Sequence, residues 1–148
     1  MKEEILQGFL LNKGYTKIKL HLTKTNHFEI IAKINGVKGL FILDTGASNS
    51  CVGFESVDLF NLNVEDSEVK AAGAGAIDMV TQVSTKNIVK IGKWKSKRTS
   101  LILFDLTHVN TALANHDANL VDGIIGADIL KKTKAVIDYN KKYLYLKL

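Results

Sequence analysis

The stretch Phe41-Ile-Leu-Asp-Thr-Gly-Ala-Ser48 joins an apolar run to a turn of small residues. The run from Gly39 to Leu43 is predicted as a buried strand that delivers the carboxylate of Asp44 at its end. A carboxylate that leaves an apolar strand is costly to desolvate unless local donors serve it. Thr45 offers a hydroxyl, and Gly46 allows backbone amides to come close. Because a structural aspartate in a turn needs no buried run before it, Asp44 is the first candidate for a catalytic group.

Short segments in which apolar residues alternate with polar ones lie on both sides of this motif. Asn35-Gly36 is a strong signal for a two-residue hairpin. Short helices are predicted over residues 57–62 and 127–132, with a helical turn at 111–114. The chain is therefore predicted to be mostly β with one or two short helices. The predicted strands cover residues 15–22, 28–34, 39–43, 64–69, 77–83, 88–91, 99–104, 121–126, 135–139 and 143–148.

The length of 148 residues suits a single domain, residues 1–148, with a core but without room for two full lobes. No apolar run approaches the roughly 20 residues that span a bilayer, so no membrane partner is expected. The N-terminus lacks a small-residue cleavage site, and the one cysteine, Cys51, cannot form an internal disulfide. A cytoplasmic location is therefore expected. Residues 1–14 are assigned to an N-terminal extension or to an interface segment.

The net charge of +5 comes largely from two basic runs, residues 93–98 and 131–134. Such runs are typical of solvated faces or hairpin tips. A barrel that binds nucleic acid through residues 93–98 would need aromatic residues interleaved on a strand face, and Trp94 alone qualifies. Nucleic acid is therefore not the expected partner.

The remaining reactive residues favour neither a nucleophile nor a metal. Cys51 beside an apolar run is typical of a small core residue. The four histidines lack the close spacing of metal ligands, so neither a metal nor a cofactor is expected. The alternative is a cluster in one loop, formed by Asp105, His108, His116 and Asp117.

A second motif, Val121-Asp-Gly-Ile-Ile-Gly-Ala-Asp-Ile-Leu130, has two isoleucines and a glycine that open a short helix. Together with the stretch 41–48, and in this order and separation, it resembles the signatures of the retropepsin-like aspartic proteases, nearest to their bacterial branch. Residues 71–76, Ala-Ala-Gly-Ala-Gly-Ala, are predicted as a flexible loop between two strands. They fall where that family places the flap that closes over substrate.

The resemblance implies a single-lobe, retropepsin-like closed β-barrel that is active as a homodimer and works as an aspartic endopeptidase. Thr45 would hydrogen-bond across the catalytic dyad, and Gly46 would offer backbone to the substrate. The isoleucines of the second motif would pack under the catalytic turn, with Ala127 at the edge of the pocket. The implied site residues are catalytic Asp44, the turn residues Thr45, Gly46 and Ala47, the flap residues Ala72, Gly73, Ala74 and Gly75, and the second-motif residues Ile124, Ile125, Gly126 and Ala127.

This activity needs two carboxylates that share one proton, because like charges so close cannot both ionise. The chain holds one Asp-Thr-Gly, so the second carboxylate is expected from Asp44 of another copy across a two-fold axis. The terminal segments 5–11 and 143–148 either supply that interface or complete the chain's own sheet. Besides a homodimeric hydrolase of peptides or proteins, a catalytically weak or inactive domain that binds extended peptides by strand addition stays open.

The chain departs from the retroviral pattern near both motifs. Retroviral members follow the catalytic turn with acidic residues, one of them paired with an arginine after the second-motif glycine. Here Ser48 and Asn49 stand in the first place and Ala127 in the second. The flap also lacks an aromatic residue near its tip. Asp128, at the start of the second predicted helix, is interpreted as structural because a carboxylate suits a helix N-terminus.

Overall fold

The computed structural model describes the backbone of residues 2–73 and 76–148, and the side chains of residues 5–65 and 81–148. A 3-10 turn covers Phe54–Ser56. In chain order, the helices and strands are α1 (Lys2–Asn12), β1 (Tyr15–Lys19), β2 (His21–Leu22), β3 (Phe28–Ile34), β4 (Val37–Leu43), β5 (Cys51–Gly53), β6 (Glu65–Gly73), β7 (Ala76–Ile91), β8 (Trp94–Phe104), α2 (Thr107–Asn115), β9 (Gly123–Ile125), α3 (Ala127–Lys132), β10 (Val136–Asp138) and β11 (Tyr143–Lys147).

Six strands close into a barrel. The larger sheet has the order β2-β3-β4-β9-β5-β8-β7-β6, and β3 also pairs with β7, which closes the circle through β3, β4, β9, β5, β8 and β7. Most neighbours are antiparallel, but β4 runs parallel to β9, with Leu43 opposite Ile125. Since parallel neighbours end at the same edge of a sheet, the residues that follow β4 and β9 meet there.

The strand β4 has apolar residues in succession because both of its faces are buried. Phe41 and Leu43 point into the barrel core, whereas Ile42, between them, packs into a second apolar cluster outside the barrel wall. The same alternation separates Ile125, in the core, from Ile124, in the outer cluster. Successive side chains of a strand face opposite ways, so a continuous apolar run requires a cover on each side.

The outer cluster is covered by α2, a helix of nine residues. Leu113 of α2 is buried in this cluster together with Leu106, which precedes the helix. The sequence predicted only a helical turn at 111–114, and that prediction was too short. The helix bears on the site because it covers Ile42 and Ile124, each of which comes one residue before the end of its strand.

A smaller sheet has the order β1-β11-β10. Both edges of β11 are therefore paired within the chain, and Leu144 and Leu146 are fully buried. Of the two alternatives for residues 143–148, the structure selects completion of the chain's own sheet. The other terminal segment forms α1, which buries Leu10 but leaves Ile5 and Phe9 exposed by 70% and 56%.

Several predicted bounds were wrong. The strand predicted over residues 15–22 is interrupted at Leu20, whose amide donates to the Lys142 carbonyl oxygen where the chain passes from the small sheet to the barrel. The helix predicted over residues 57–62 is instead a 3-10 turn at Phe54–Ser56 followed by a bend that ends at Asn61, whose φ is 53°. The loop predicted over residues 71–76 is largely strand, because β6 continues to Gly73 and β7 begins at Ala76.

Other predictions were confirmed. The hairpin at Asn35-Gly36 joins β3 to β4, and α3 has the predicted bounds. The strands predicted over residues 135–139 and 143–148 are present as β10 and β11, which pair antiparallel. Within residues 2–73 and 76–148, the helices are all too short or too polar to cross a membrane.

Replacing Gly123 with alanine is expected to destabilise the barrel. A Cβ there would overlap the carbonyl oxygen of Cys51 and lie 2.8 Å from the Phe41 ring, so the neighbouring strand β5 would have to move. We expect Gly123→Ala to lower the free energy of unfolding by about 1–3 kcal/mol or more. Gly8→Ala is the matched control, because nothing lies within 4 Å of a Cβ at this helical position. It should raise the free energy of unfolding by roughly 0.5–1 kcal/mol. Equal denaturation midpoints for the two variants in urea would contradict this packing.

Candidate active site

Asp44 is the first residue after β4, and hydrogen bonds fix the turn that it opens. Its amide donates to the Ile125 carbonyl oxygen at 2.9 Å, which continues the pairing of β4 with β9. The Gly46 amide donates to one carboxylate oxygen of Asp44 at 2.9 Å, and the Ala47 amide donates to its carbonyl oxygen at 3.2 Å. The second carboxylate oxygen has no hydrogen-bond partner in the described part of the chain, and the side chain is half-buried. The carboxylate is thus held at one oxygen and open at the other.

The two motifs are in direct backbone contact. The Ala127 amide donates to the Ala47 carbonyl oxygen at 2.7 Å. A Cβ on Gly126 would lie 2.6 Å from that same oxygen and 3.1 Å from the Asn49 backbone. Glycine is therefore required at this position, because any side chain would push the catalytic turn away from the second motif.

A buried serine links the same two segments. Ser50 is fully buried, and its amide and hydroxyl both donate to one carboxylate oxygen of Asp128, at 2.9 and 2.7 Å. The Ser50 oxygen also accepts from the Gly126 amide at 2.8 Å. The carboxylate of Asp128 accepts from the Ile129 amide as well, at the start of α3. Asp128 therefore has the structural role that was predicted for it, whereas Ser50 was missed because a serine in a turn is usually exposed.

The other aspartate of the second motif, Asp122, is also structural. Its two carboxylate oxygens accept from the Leu40 amide at 3.0 Å and from the Ser56 hydroxyl at 2.9 Å. Its backbone bonds to Leu40 and to Gly53 on either side. Asp122 thus anchors the start of β9 between β4 and β5, with both of its carboxylate oxygens used.

A cavity of about 370 Å³ opens beside Asp44. Asp44 is the only acidic residue among those that line it, so the described part of the chain places no second carboxylate there. Ile124 lies in the cavity wall as predicted for the second motif, while Ile125 is buried in the barrel core instead. The contribution of α2 was missed, since nothing near Asp44 in sequence points to it. The lining residues are Thr25, His27, Ile42, Asp44, His108, Val109, Ala112, Leu113 and Ile124.

Thr45 and Ala127 line a different, shallower cavity of about 340 Å³ on the other side of the catalytic turn. Thr45 is exposed, and its neighbours there include Leu130 and Lys131 of α3. Of the predicted flap residues, Ala72 and Gly73 belong to the end of β6, and Gly73 pairs with Ala76 of β7. Ala74 and Gly75 lie outside the described residues.

The thiol, the candidate metal cluster and the basic run that the sequence also offered do not form functional sites in the part of the chain that the structure describes. Burial raises the pKa of the Cys51 thiol to about 12, which keeps it a neutral thiol rather than a nucleophile. Among the residues that the structure describes, no three His, Cys, Asp or Glu side chains are grouped so that they could hold a metal ion. Asp105, one of the residues considered for such a group, instead accepts hydrogen bonds from Thr107, which lower the pKa of its carboxyl group. Trp94 is buried in the barrel core, so the basic run around it presents no aromatic surface for stacking on bases.

The fold is similar to those of solved retropepsin-like structures. A retropepsin-like aspartic protease from Rickettsia conorii is 25% identical, with 90% of each chain covered and a TM-score of 0.59. The fold is shared with EIAV protease in complex with the inhibitor HBY-793, at 19% identity, a TM-score of 0.54 and coverage of 74% of this chain and 90% of that one. It is also shared with the retroviral protease-like domain of Ddi1 from Leishmania major, at 17% identity, a TM-score of 0.52 and coverage of 80% and 86%.

The chain thus has a retropepsin-like fold, mostly β with a closed six-stranded barrel and few helices. The family model described as aspartyl protease matches residues 30–129, from β3 into α3. This is more than half of the sequence, and the chain therefore belongs to the aspartyl protease family. No curated protein is significantly similar to it.

The link between Ser50 and Asp128 predicts a specific loss of stability. Ser50→Ala removes the hydroxyl that binds Asp128 and leaves the buried Gly126 amide without its acceptor. The free energy of unfolding should fall by about 1–3 kcal/mol, measured by chemical denaturation. Ser48→Ala, at an exposed position two residues earlier, is the control and should change it by less than about 0.5 kcal/mol. Equal stability of the Ser50→Ala variant and the wild type would show that this link does not hold the turns together.

Proposed function

We propose that this protein is an aspartic endopeptidase in which Asp44 activates the attacking water. The observation that carries the proposal is the state of its carboxylate, which accepts one hydrogen bond from Gly46 and keeps its second oxygen free beside a cavity. Asp122, by contrast, has both oxygens occupied, and neither Asp122 nor Asp128 lines that cavity. Membership of the aspartyl protease family supports the same chemistry.

The proposed reaction needs two carboxylates with one proton between them. Repulsion between like charges keeps one carboxyl group protonated while the other is ionised. The ionised group takes a proton from a water held between them, and that water attacks the carbonyl carbon of the scissile peptide bond. The protonated group donates to the oxyanion that develops. Gly46 would offer its backbone to the substrate, and the segment around Ala72–Gly75 would close over it.

The second carboxylate is proposed to be Asp44 of another copy. Within the described chain, the carboxylates of Asp122 and Asp128 are used by hydrogen bonds, and the cavity beside Asp44 has no other acidic residue. A two-fold axis beside the catalytic turn would bring the two Asp44 side chains together through an isologous interface. The exposed Thr45 lies next to Asp44 and would cross to the partner's turn.

The proposed dimer interface would not be formed by exchange of the C-terminal strand β11 between the two copies. Because β11 is paired on both edges within the chain, it has no free edge to add to a partner's sheet. The proposed contact is therefore formed by the catalytic turn, by the shallow cavity that Thr45 and Ala127 line, and by exposed apolar side chains such as Phe9 of α1.

A peptide-binding domain without strong catalysis is the second candidate. The small residues at 71–76 favour it, because a flap without an aromatic side chain has little area with which to clamp a substrate. The free oxygen of Asp44 favours the hydrolase. The two candidates differ in whether a bound peptide is cut.

Asp44→Asn is expected to reduce peptide hydrolysis by roughly 10²–10⁴-fold or more, because an amide cannot accept the proton of the attacking water. Digestion of a random peptide library, followed by mass spectrometry from acidic to neutral pH, measures the effect and locates the cleaved bonds. Asp58→Asn is the matched control, since Asp58 is exposed in the turn after Phe54–Ser56 and should leave the rate unchanged. Cleavage that survives in purified, folded Asp44→Asn protein would refute the proposal, and binding without cleavage by the wild type would favour the second candidate.

A further inference from the structure

The cavity beside Asp44 has an apolar part and a polar end. Its apolar wall comes from β4, β9 and α2, with Ile42, Ile124 and Leu113 as buried members. Its polar end carries two imidazoles, one from His27 before β3 and one from His108 in α2. A cavity that combines apolar walls with a few placed donors is suited to a side chain with an aliphatic stem and a polar tip.

His27 is exposed, and hydrogen bonds to neighbouring threonines orient its ring. The ring atom Nδ1 is 2.9 Å from the hydroxyl of Thr25, which is itself 2.7 Å from the hydroxyl of Thr23. The His27 amide also donates to the Thr23 hydroxyl oxygen at 3.1 Å. The pairing of Phe28 with Leu43 puts His27 one step beyond the end of the ladder, on the level of Asp44. Its second ring nitrogen, Nε2, has no hydrogen-bond partner in the described chain, so it is free to donate to a ligand.

His108 lines the same cavity and belongs to α2. It is the second residue of α2, and neither of its ring nitrogens has a hydrogen-bond partner among the described residues. The nearby carboxylate of Asp105 accepts from the Thr107 hydroxyl and amide at one of its oxygens. The charged groups around the two imidazoles are therefore Asp44, at the reaction centre, and Asp105, beside His108.

We propose that this cavity is a substrate subsite that selects an acidic side chain, best glutamate, at a position next to the scissile bond. The inference rests on the proposed function and specifies the substrate that the same site takes. The two CH₂ groups of glutamate would lie against Ile42 and Ile124, and its carboxylate would accept from the imidazoles of His27 and His108. An imidazole N–H donates more strongly to an ionised carboxylate than to an uncharged amide, which favours glutamate over glutamine.

Matched peptides test the proposal. Starting from a sequence that the library digestion shows to be cut, the residue on each side of the scissile bond is set in turn to Glu, Gln or Leu. The wild type should cut the Glu peptide with a kcat/KM about tenfold or more above that of the Gln peptide. In His27→Gln and in His108→Gln, the Glu-to-Gln ratio should fall towards one.

His116→Gln is the control for the loss of a histidine. His116 follows the C-terminal end of α2 and does not line the cavity, so the wild-type ratio should be kept. The two test variants lie on separate elements, so a folding defect in one does not decide the outcome. An unchanged ratio in both folded variants, or a wild type that prefers Gln or Leu, overturns the proposal.

A binding measurement separates this inference from the proposed hydrolysis. In the Asp44→Asn background, the dissociation constants of the same Glu and Gln peptides are compared with and without His27→Gln. A Glu preference in binding that depends on His27, together with a cleavage rate that Asp44→Asn does not lower, would leave the subsite standing and remove the proposed catalytic role of Asp44. Asp44-dependent cleavage without any Glu preference would support the hydrolase and contradict the subsite. A protein that neither cuts nor discriminates the peptides would remove both.

Discussion

The parallel pairing of β4 with β9 is the constraint on which the rest of the site depends. It sets Leu43 opposite Ile125 and continues through the bond from the Asp44 amide to the Ile125 carbonyl oxygen. As a result, the turn that carries Asp44 and the glycine that opens α3 leave the barrel at one edge and touch. Both strands are apolar on both faces, and those faces are buried in two separate clusters. A slip of β9 by one residue would bring a side chain to the place of Gly123, where a Cβ would overlap the carbonyl oxygen of Cys51.

The link from Ser50 to Asp128 explains how the chain manages without the retroviral ion pair. In the retroviral pattern an acid after the catalytic turn binds an arginine after the second-motif glycine, but here Ser48, Asn49 and Ala127 occupy those places. In this chain the acid is Asp128, at the start of α3, and the donor is Ser50, which follows the turn of Asp44. A hydroxyl and a backbone amide replace the guanidinium, so the two turns stay joined through a carboxylate that also suits the start of α3.

The sequence predicted those parts of the fold that local patterns encode. The apolar run before Asp44, the Asn35-Gly36 hairpin and the bounds of α3 all follow from residues that are close in sequence. The sequence did not reveal the interruption at Leu20 or the length of α2, because both depend on partners far along the chain. The role of Ser50 was missed for the same reason, since its partners lie 76 and 78 residues away. At the site, the sequence pointed to Asp44 and the turn that it opens, but not to the cavity wall that α2 supplies.

The central claim is that two copies of Asp44 form one reaction centre, and mixing of subunits tests it most directly. Wild-type protein is incubated with a roughly ninefold excess of Asp44→Asn protein until the copies have exchanged, and cleavage is measured at a constant amount of wild type. If each centre needs two wild-type copies, the activity per wild-type chain falls to about one tenth, because most wild-type chains are then paired with a variant chain. An activity per wild-type chain that is unchanged by the variant, in a preparation shown to exchange subunits, would contradict the shared centre.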